Sequence, residues 1–243
     1  MTPEEAAAAS AAAVSGVGSH FMMDPPTYAR GAELGFQGLD FYLVGRAGVL
    51  GDVDADVVSA VLVFFHPSTV RTLWESGCAV MPPAETVREF ITCGYRWADT
   101  HVPDDLDAAR LADLSGRVIE AASPSGAPLF AGWRALAVPD EPKALAVHRM
   151  NILRELRGGL HGACVLAAGL APRDAVLVRS PYMAPIYGWE ESPSDVSALK
   201  DTWKAAEAAT NRAIAPAFEA LSEGERAEFV ELSAAAQAAA IAP

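Results

Sequence analysis

Charged side chains set inside apolar sequence constrain this chain more than any other feature. Arg46 lies in Gly45-Arg46-Ala47-Gly48-Val49-Leu50-Gly51, and Arg154, Glu155, Arg157 and His161 lie within Leu153–His161. Both stretches have strongly apolar flanks, where a charge is costly to bury unless it is paired. The fold must either tie these groups together inside a core or use them to line a pocket.

The rest of the chain favours helices. Over 243 residues, 51% are apolar, Ala is abundant and β-branched runs are short, which supports a sizeable helical core and excludes an all-β fold. A net charge of −13 opposes tight nucleic-acid binding, which needs cations to displace condensed counterions, and opposes binding to an anionic membrane surface. Cys78, Cys93 and Cys164 are odd in number and widely spaced, so reduced thiols are expected rather than a disulfide framework. Thr2-Pro3 starts an Ala-rich helix without the basic segment of a signal peptide. No apolar run reaches membrane-spanning length unbroken, and a cytoplasmic location is expected.

The two halves of the chain can be laid over each other. With Gly51 matched to Gly169, Asp56 falls on Asp174 and Val58 on Val176; a short deletion brings Trp74-Glu75 onto Trp189-Glu190. Each half reads as helix, Gly turn, helix. Gly51 can take the left-handed conformation that ends a helix, and Asp52 or Asp54 can cap the next one; Gly169 and Pro172 play the matching parts. The expected fold is mostly α: two pseudo-repeated helix-turn-helix, winged-helix-like modules packed into one body, with short β wings. Residues 1–26 form an Ala-rich helical arm, 27–122 the first module, 123–142 a linker or wing, and 143–243 the second module. A helix should run from Pro142 to about Arg157, helped by Asp140 or Glu141 at its start, and break at Gly158-Gly159. A new helix follows near Leu160, Pro181–Pro193 forms a loop suited to be a lid, and helices at about Asp195–Ala213 and Pro216–Ala240 end the chain.

The stretches GRAGVLG, PLFAGWRALAVPDEP, ILRELRGGLHGACVLAAGLAPRDAVLV, GWE and EAATNRAIAP, in that order, resemble the SalK-type helix-turn-helix-like family of actinobacteria, often encoded beside natural-product genes. The resemblance covers roughly residues 28–229. It implies a duplicated winged-helix-like protein whose biochemical role is poorly defined. This chain departs from the family's Arg-Glu-His-Arg-Gly-Asp-Gly-His stretch, with Leu156 for the first His and Gly159-Leu160 for Asp-Gly; Asn211 stands where Asp is common.

Two uses of the charged set compete. One is an Arg–Glu network that ties the halves together. The other is an apolar pocket between the modules, where Arg46 and Arg157 hold an acidic or carbonyl-bearing ligand, Glu155 orients Arg46, and His161 acts as a general base. In this second use Glu155 and His161 are the candidate catalytic residues, and Tyr182, Tyr187 and Trp189 join Arg46 and Arg157 in holding the ligand. His148 is thirteen residues from His161, about 20 Å along a helix, so the two cannot share a metal. No metal site and no cofactor is expected, since no metal-ligand spacing or phosphate-binding loop is present. The leading reading is a protein of secondary metabolism that binds a hydrophobic small molecule, with a tailoring enzyme included and enzyme against binder left undecided. A helix-turn-helix transcriptional regulator is the alternative, and a non-catalytic protein-interaction module the third. A homodimer stays open as an assembly.

Overall fold

The computed structural model describes residues 1–190 and 196–240. Among them run α1 (Pro3–Ala9), α2 (Ala11–Ser19), α3 (Pro25–Glu33), α4 (Asp40–Ala47), α5 (Ala55–Val61), α6 (Pro67–Val80), α7 (Pro83–His101), α8 (Ala108–Ala121), α9 (Pro128–Arg134), α10 (Pro142–Ala167), α11 (Pro172–Arg179), α12 (Lys200–Ile214) and α13 (Glu223–Ala240). Many of these helices open on a proline, which has no N–H to leave unbonded in a first turn. Thr2 caps α1 with Glu5 in reciprocal hydrogen bonds. Among the described residues no strand occurs, and no single helix is long and apolar enough to cross a membrane.

Of the two Gly turns, Gly169 closes its helix as expected, while Gly51 has a positive φ but not the left-handed helical conformation. Gly169 has φ +75°, its N–H reaches the Leu166 carbonyl, and the Leu170 N–H reaches the Val165 carbonyl. This paired closure seats Leu170 and Val165, both buried, against the end of α10. Gly51 has φ +81° and ψ −154°, a region open essentially to glycine alone. Of the two candidate caps, Asp54 does the work: its carboxylate accepts from the Asp56 and Val57 N–H groups, both at 3.0 Å.

α10 organises the molecule. Its 26 residues span roughly 39 Å at 1.5 Å per residue. It packs on α2, α7, α8, α9 and α12, and buries residues on several sides, from Val147 and Met150 to Glu155 and Val165. Such all-round burial marks a central helix. The expected break at Gly158-Gly159 does not occur. A Cβ on Gly159 would come within 2.9 Å of the Ala127 backbone, so the glycine serves close contact with the segment entering α9. Packing on both sides offsets the helix penalty of about 1 kcal/mol per glycine.

Two further expectations need correction. Segment 123–142 is not a wing: its central aromatic stretch packs as a helix, α9, whose Leu129, Phe130 and Trp133 are in the core with Ala127. Glu141 precedes α10 as its N-cap, but its side chain makes no capping bond. At the C-terminal end, Pro216 lies in a 3-10 segment, Ala215–Ala220, ahead of α13. The expected helix start at Asp195 lies outside the described residues.

The two adjacent glycines should respond oppositely to substitution. Gly158→Ala, whose new methyl would meet its nearest neighbours at ordinary distances of 3.9–4.0 Å, is expected to raise unfolding free energy by about 0.5–1 kcal/mol. Gly159→Ala is expected to lower it by about 1–3 kcal/mol through the contact with Ala127. Urea unfolding of both variants checks this.

Candidate functional site

Helical spacing decides which charged groups can meet. Tyr42 and Arg46, four apart on α4, share a face, and Arg46 Nη1 donates to the Tyr42 hydroxyl at 3.0 Å. The same guanidinium donates from Nε to Glu155 Oε1 at 2.8 Å and from Nη2 to Oε2 at 3.0 Å. This bidentate pair joins α4 to α10, and the Glu155 side chain is 0% exposed. Arg154 curls round its own helix to donate from Nη1 to Glu155 Oε1 at 2.5 Å. Trp133 of α9 donates its indole N–H to the Arg46 carbonyl at 3.0 Å.

The electrostatics follow from burial against pairing. Burial alone would raise the Glu155 carboxyl; Arg46 and Arg154 outweigh it and hold the group below its usual range. Burial opposes charge on Arg46, and Glu155 more than reverses that. Burial would also raise the Tyr42 phenol, yet the two guanidiniums bring it below its ordinary value against the opposing charge of Glu155.

Arg157 and His161 belong to a different cluster. At about 100° per residue, Arg157 stands roughly 200° round α10 from Glu155, on the other side of the helix. Because α10 continues through the glycines, Arg157 and His161 are four apart on one face, and both meet α12. Arg157 donates to Glu207 at 2.6 Å and to Asn211 Oδ1 at 2.8 Å. His161 Nδ1 lies 3.0 Å from the Thr210 hydroxyl, and Nε2 lies 3.5 Å from Glu207. The Trp203 ring stands edge-on to the imidazole at 4.9 Å. Burial pushes the His161 ring down, with Glu207 opposing and Arg157 assisting. The expectation that Arg46 and Arg157 grip one ligand beside His161 is therefore corrected: the helix between them keeps the two clusters apart. His148, fully buried, has Nδ1 at 2.9 Å from the Tyr95 hydroxyl.

Two adjoining clefts open on the Tyr42 side. The larger, about 470 Å³, is lined by residues of α3 and α4 and the turn between them, including Tyr28, Phe36, Leu39 and Tyr42. The smaller, about 140 Å³, lies between Leu39, Tyr42, Phe65, Arg154, Ile186 and Tyr187. Met22, Leu39 and Tyr42 line both. Of the residues expected to hold a ligand, Tyr187 lines a cleft, with its ring 4.5 Å from that of Phe65. Tyr182 is exposed on the outside. Trp189 donates its indole N–H to the Phe64 carbonyl at 2.8 Å, which anchors its segment to the loop before α6. The expected lid continues past Glu190 into residues outside those described. Neither cleft is lined by Arg46, Glu155, Arg157 or His161.

Arg154 is the charged cleft residue that the sequence does not mark, while Tyr42, like Phe36, Phe41 and Phe65, stands among the aromatics the sequence offers as pocket lining. The four-residue spacing of Tyr42 and Arg46 was the available signal for the phenol. Nothing in the sequence singles out Arg154 from Arg157.

These features define a mostly helical protein in which a buried ion pair backs an apolar cleft. The chain matches the model of the Helix-turn-helix family over residues 7–195 and belongs to that family. No curated protein and no solved structure matches it.

Glu155→Gln keeps the shape but removes the counter-charge of two largely buried guanidiniums. Its unfolding free energy at pH 7 is expected to fall by about 3–5 kcal/mol in urea titrations. Because the folded carboxyl titrates below its unfolded value near 4.5, its stabilisation is complete above that pH and is lost as pH falls through the folded value. The acid-side decline of wild-type stability should accordingly be shallower in Glu155→Gln.

Proposed function

We propose that this protein binds a small apolar molecule in the paired clefts beside Tyr42. The observation that carries the reading is that Met22, Leu39 and Tyr42 line both clefts, so the two adjoin, and we read them as one bent trough. The larger cleft falls in the range of roughly 300–1,000 Å³ that holds drug-sized ligands. Met23, Tyr28 and Ile186, exposed large hydrophobic side chains, line the trough, an arrangement that favours an apolar occupant. The likeness of Arg154–His161 to the SalK-type stretch supports a ligand drawn from natural-product chemistry. The matched glycine turns at Gly51 and Gly169 support a duplicated ancestry for the scaffold.

A regulator that reads DNA is the second reading, favoured by the family's helix-turn-helix description. Charge weighs against it. On the outer face of α6, Arg71 is held by Asp56 and Glu75. Asp52, Asp54 and Asp56 precede or open α5, where phosphates would approach. On α11, Arg173 lies 4.0 Å from Asp174.

The neutral fluorophore Nile red is expected to bind the wild-type protein. Leu39→Trp, which fills the shared wall, should weaken that binding by about tenfold or more with unchanged circular dichroism. Equal binding by both proteins removes the cleft reading. A gel shift at low salt with the promoter nearest the gene should show no complex; a specific shift would favour the regulator.

A further inference from the structure

The trough contains one cation whose bonding capacity is largely unused. Arg46 commits every nitrogen inside the cluster: Nε and Nη2 go to Glu155 and Nη1 goes to Tyr42, and Arg46 lines neither cleft. Arg157 is engaged by Glu207 and Asn211 on the other side of α10. Arg154 spends Nη1 on Glu155, while a guanidinium carries five N–H donors. Its side chain is 17% exposed and lines the smaller cleft. Charge balance points the same way. Arg46 and Arg154 both have Glu155 as their ion-pair partner, and no second carboxylate joins them among the described residues. The cluster therefore holds two positive charges against one negative. A surplus charge in so sheltered a place favours an incoming anion, because low local polarity strengthens the attraction. The Tyr42 hydroxyl adds a donor. Its oxygen already accepts from Arg46, so its own proton is free for another acceptor.

We infer that the ligand is an amphiphilic monoanion, with a carboxylate on the Arg154 guanidinium beside the Tyr42 hydroxyl and an apolar body along Met22 and Leu39 into the larger cleft. This rests on the cleft reading above and adds the head group to it. One negative charge brings the cluster to neutrality; a dianion would overshoot beside the buried Glu155. Arg154 is in this view a ligand-binding residue, while Arg46 and Glu155 hold the wall in place.

Displacement of Nile red by octanoate and by octan-1-ol separates head group from tail. For wild-type protein, octanoate should displace the dye at a concentration about tenfold lower than octan-1-ol, the contribution of one sheltered charge-assisted hydrogen bond. Arg154→Met should abolish that difference while keeping octan-1-ol binding, and Arg154→Lys should retain part of it. The Met variant should fold, because Glu155 keeps Arg46 as an equal and opposite partner; urea unfolding checks this. Equal potency of the two probes on wild-type protein, or an undiminished preference in Arg154→Met, overturns the head-group assignment. If neither Nile red nor octan-1-ol binds wild-type protein, the cleft reading falls and the inference falls with it.

Discussion

The bidentate pair between Arg46 and Glu155 is the constraint around which the other features arrange themselves. A carboxylate with no exposed surface cannot persist as a charge unless a cation meets it in good geometry. Meeting that requirement ties α4, which packs on α6 and α7, to the central helix α10 through paired side-chain hydrogen bonds. The contact joins residues 109 apart in sequence, so it is made only when the middle of the chain has folded around it. Trp133 secures the same corner from α9 through the Arg46 carbonyl. Glycines allow the approach: a Cβ on Gly45 would lie 2.4 Å from the Phe90 ring, so α4 can seat on α7 only with that position bare.

How much of this was legible in the sequence depends on the range of the interaction. Local signals read well. Thr2-Pro3, Gly51, Asp54, Gly169 and Pro172 act at helix ends, where a cap or a positive φ depends on a few adjacent residues. Gly158-Gly159 misled for the opposite reason. Helix propensity argued for a break, but tertiary contacts of Gly159 with Ala127 outweigh a local penalty of a few kcal/mol at most. The Pro- and Gly-rich ends of segment 123–142 hid α9 in the same way: Leu129, Phe130 and Trp133 become a helix because they have a core to enter.

The charged set shows how sequence proximity differs from shared chemistry. Glu155, Arg157 and His161 lie within seven positions, which suits either one pocket with Arg46 or an Arg–Glu network between the halves. The helix separates them by rotation, giving Glu155 to α4 and Arg157 with His161 to α12. Their non-facing geometry was available from the two-residue spacing alone. Which side would meet Arg46 was not, since that depends on the packing of helices far apart in the chain. Arg154 was hidden for a related reason: adjacent residues on a helix point apart, and only a flexible Arg stem brings its head back to Glu155.

Leu156 and Asn211 fit this division of α10. Leu156 is buried in the core and contributes apolar packing where a titratable side chain would need a partner. Asn211 offers its amide oxygen to Arg157 and leaves Glu207 as the cluster's carboxylate. The α12 side of the helix is thereby closer to charge balance, with Arg157 against Glu207, than the α4 side, with Arg46 and Arg154 against Glu155. A balanced cluster needs nothing further and serves packing. An unbalanced one beside an apolar trough is where an incoming charge gains most, so the ligand we infer belongs on the Glu155 side of α10, while the α12 side serves structural tethering.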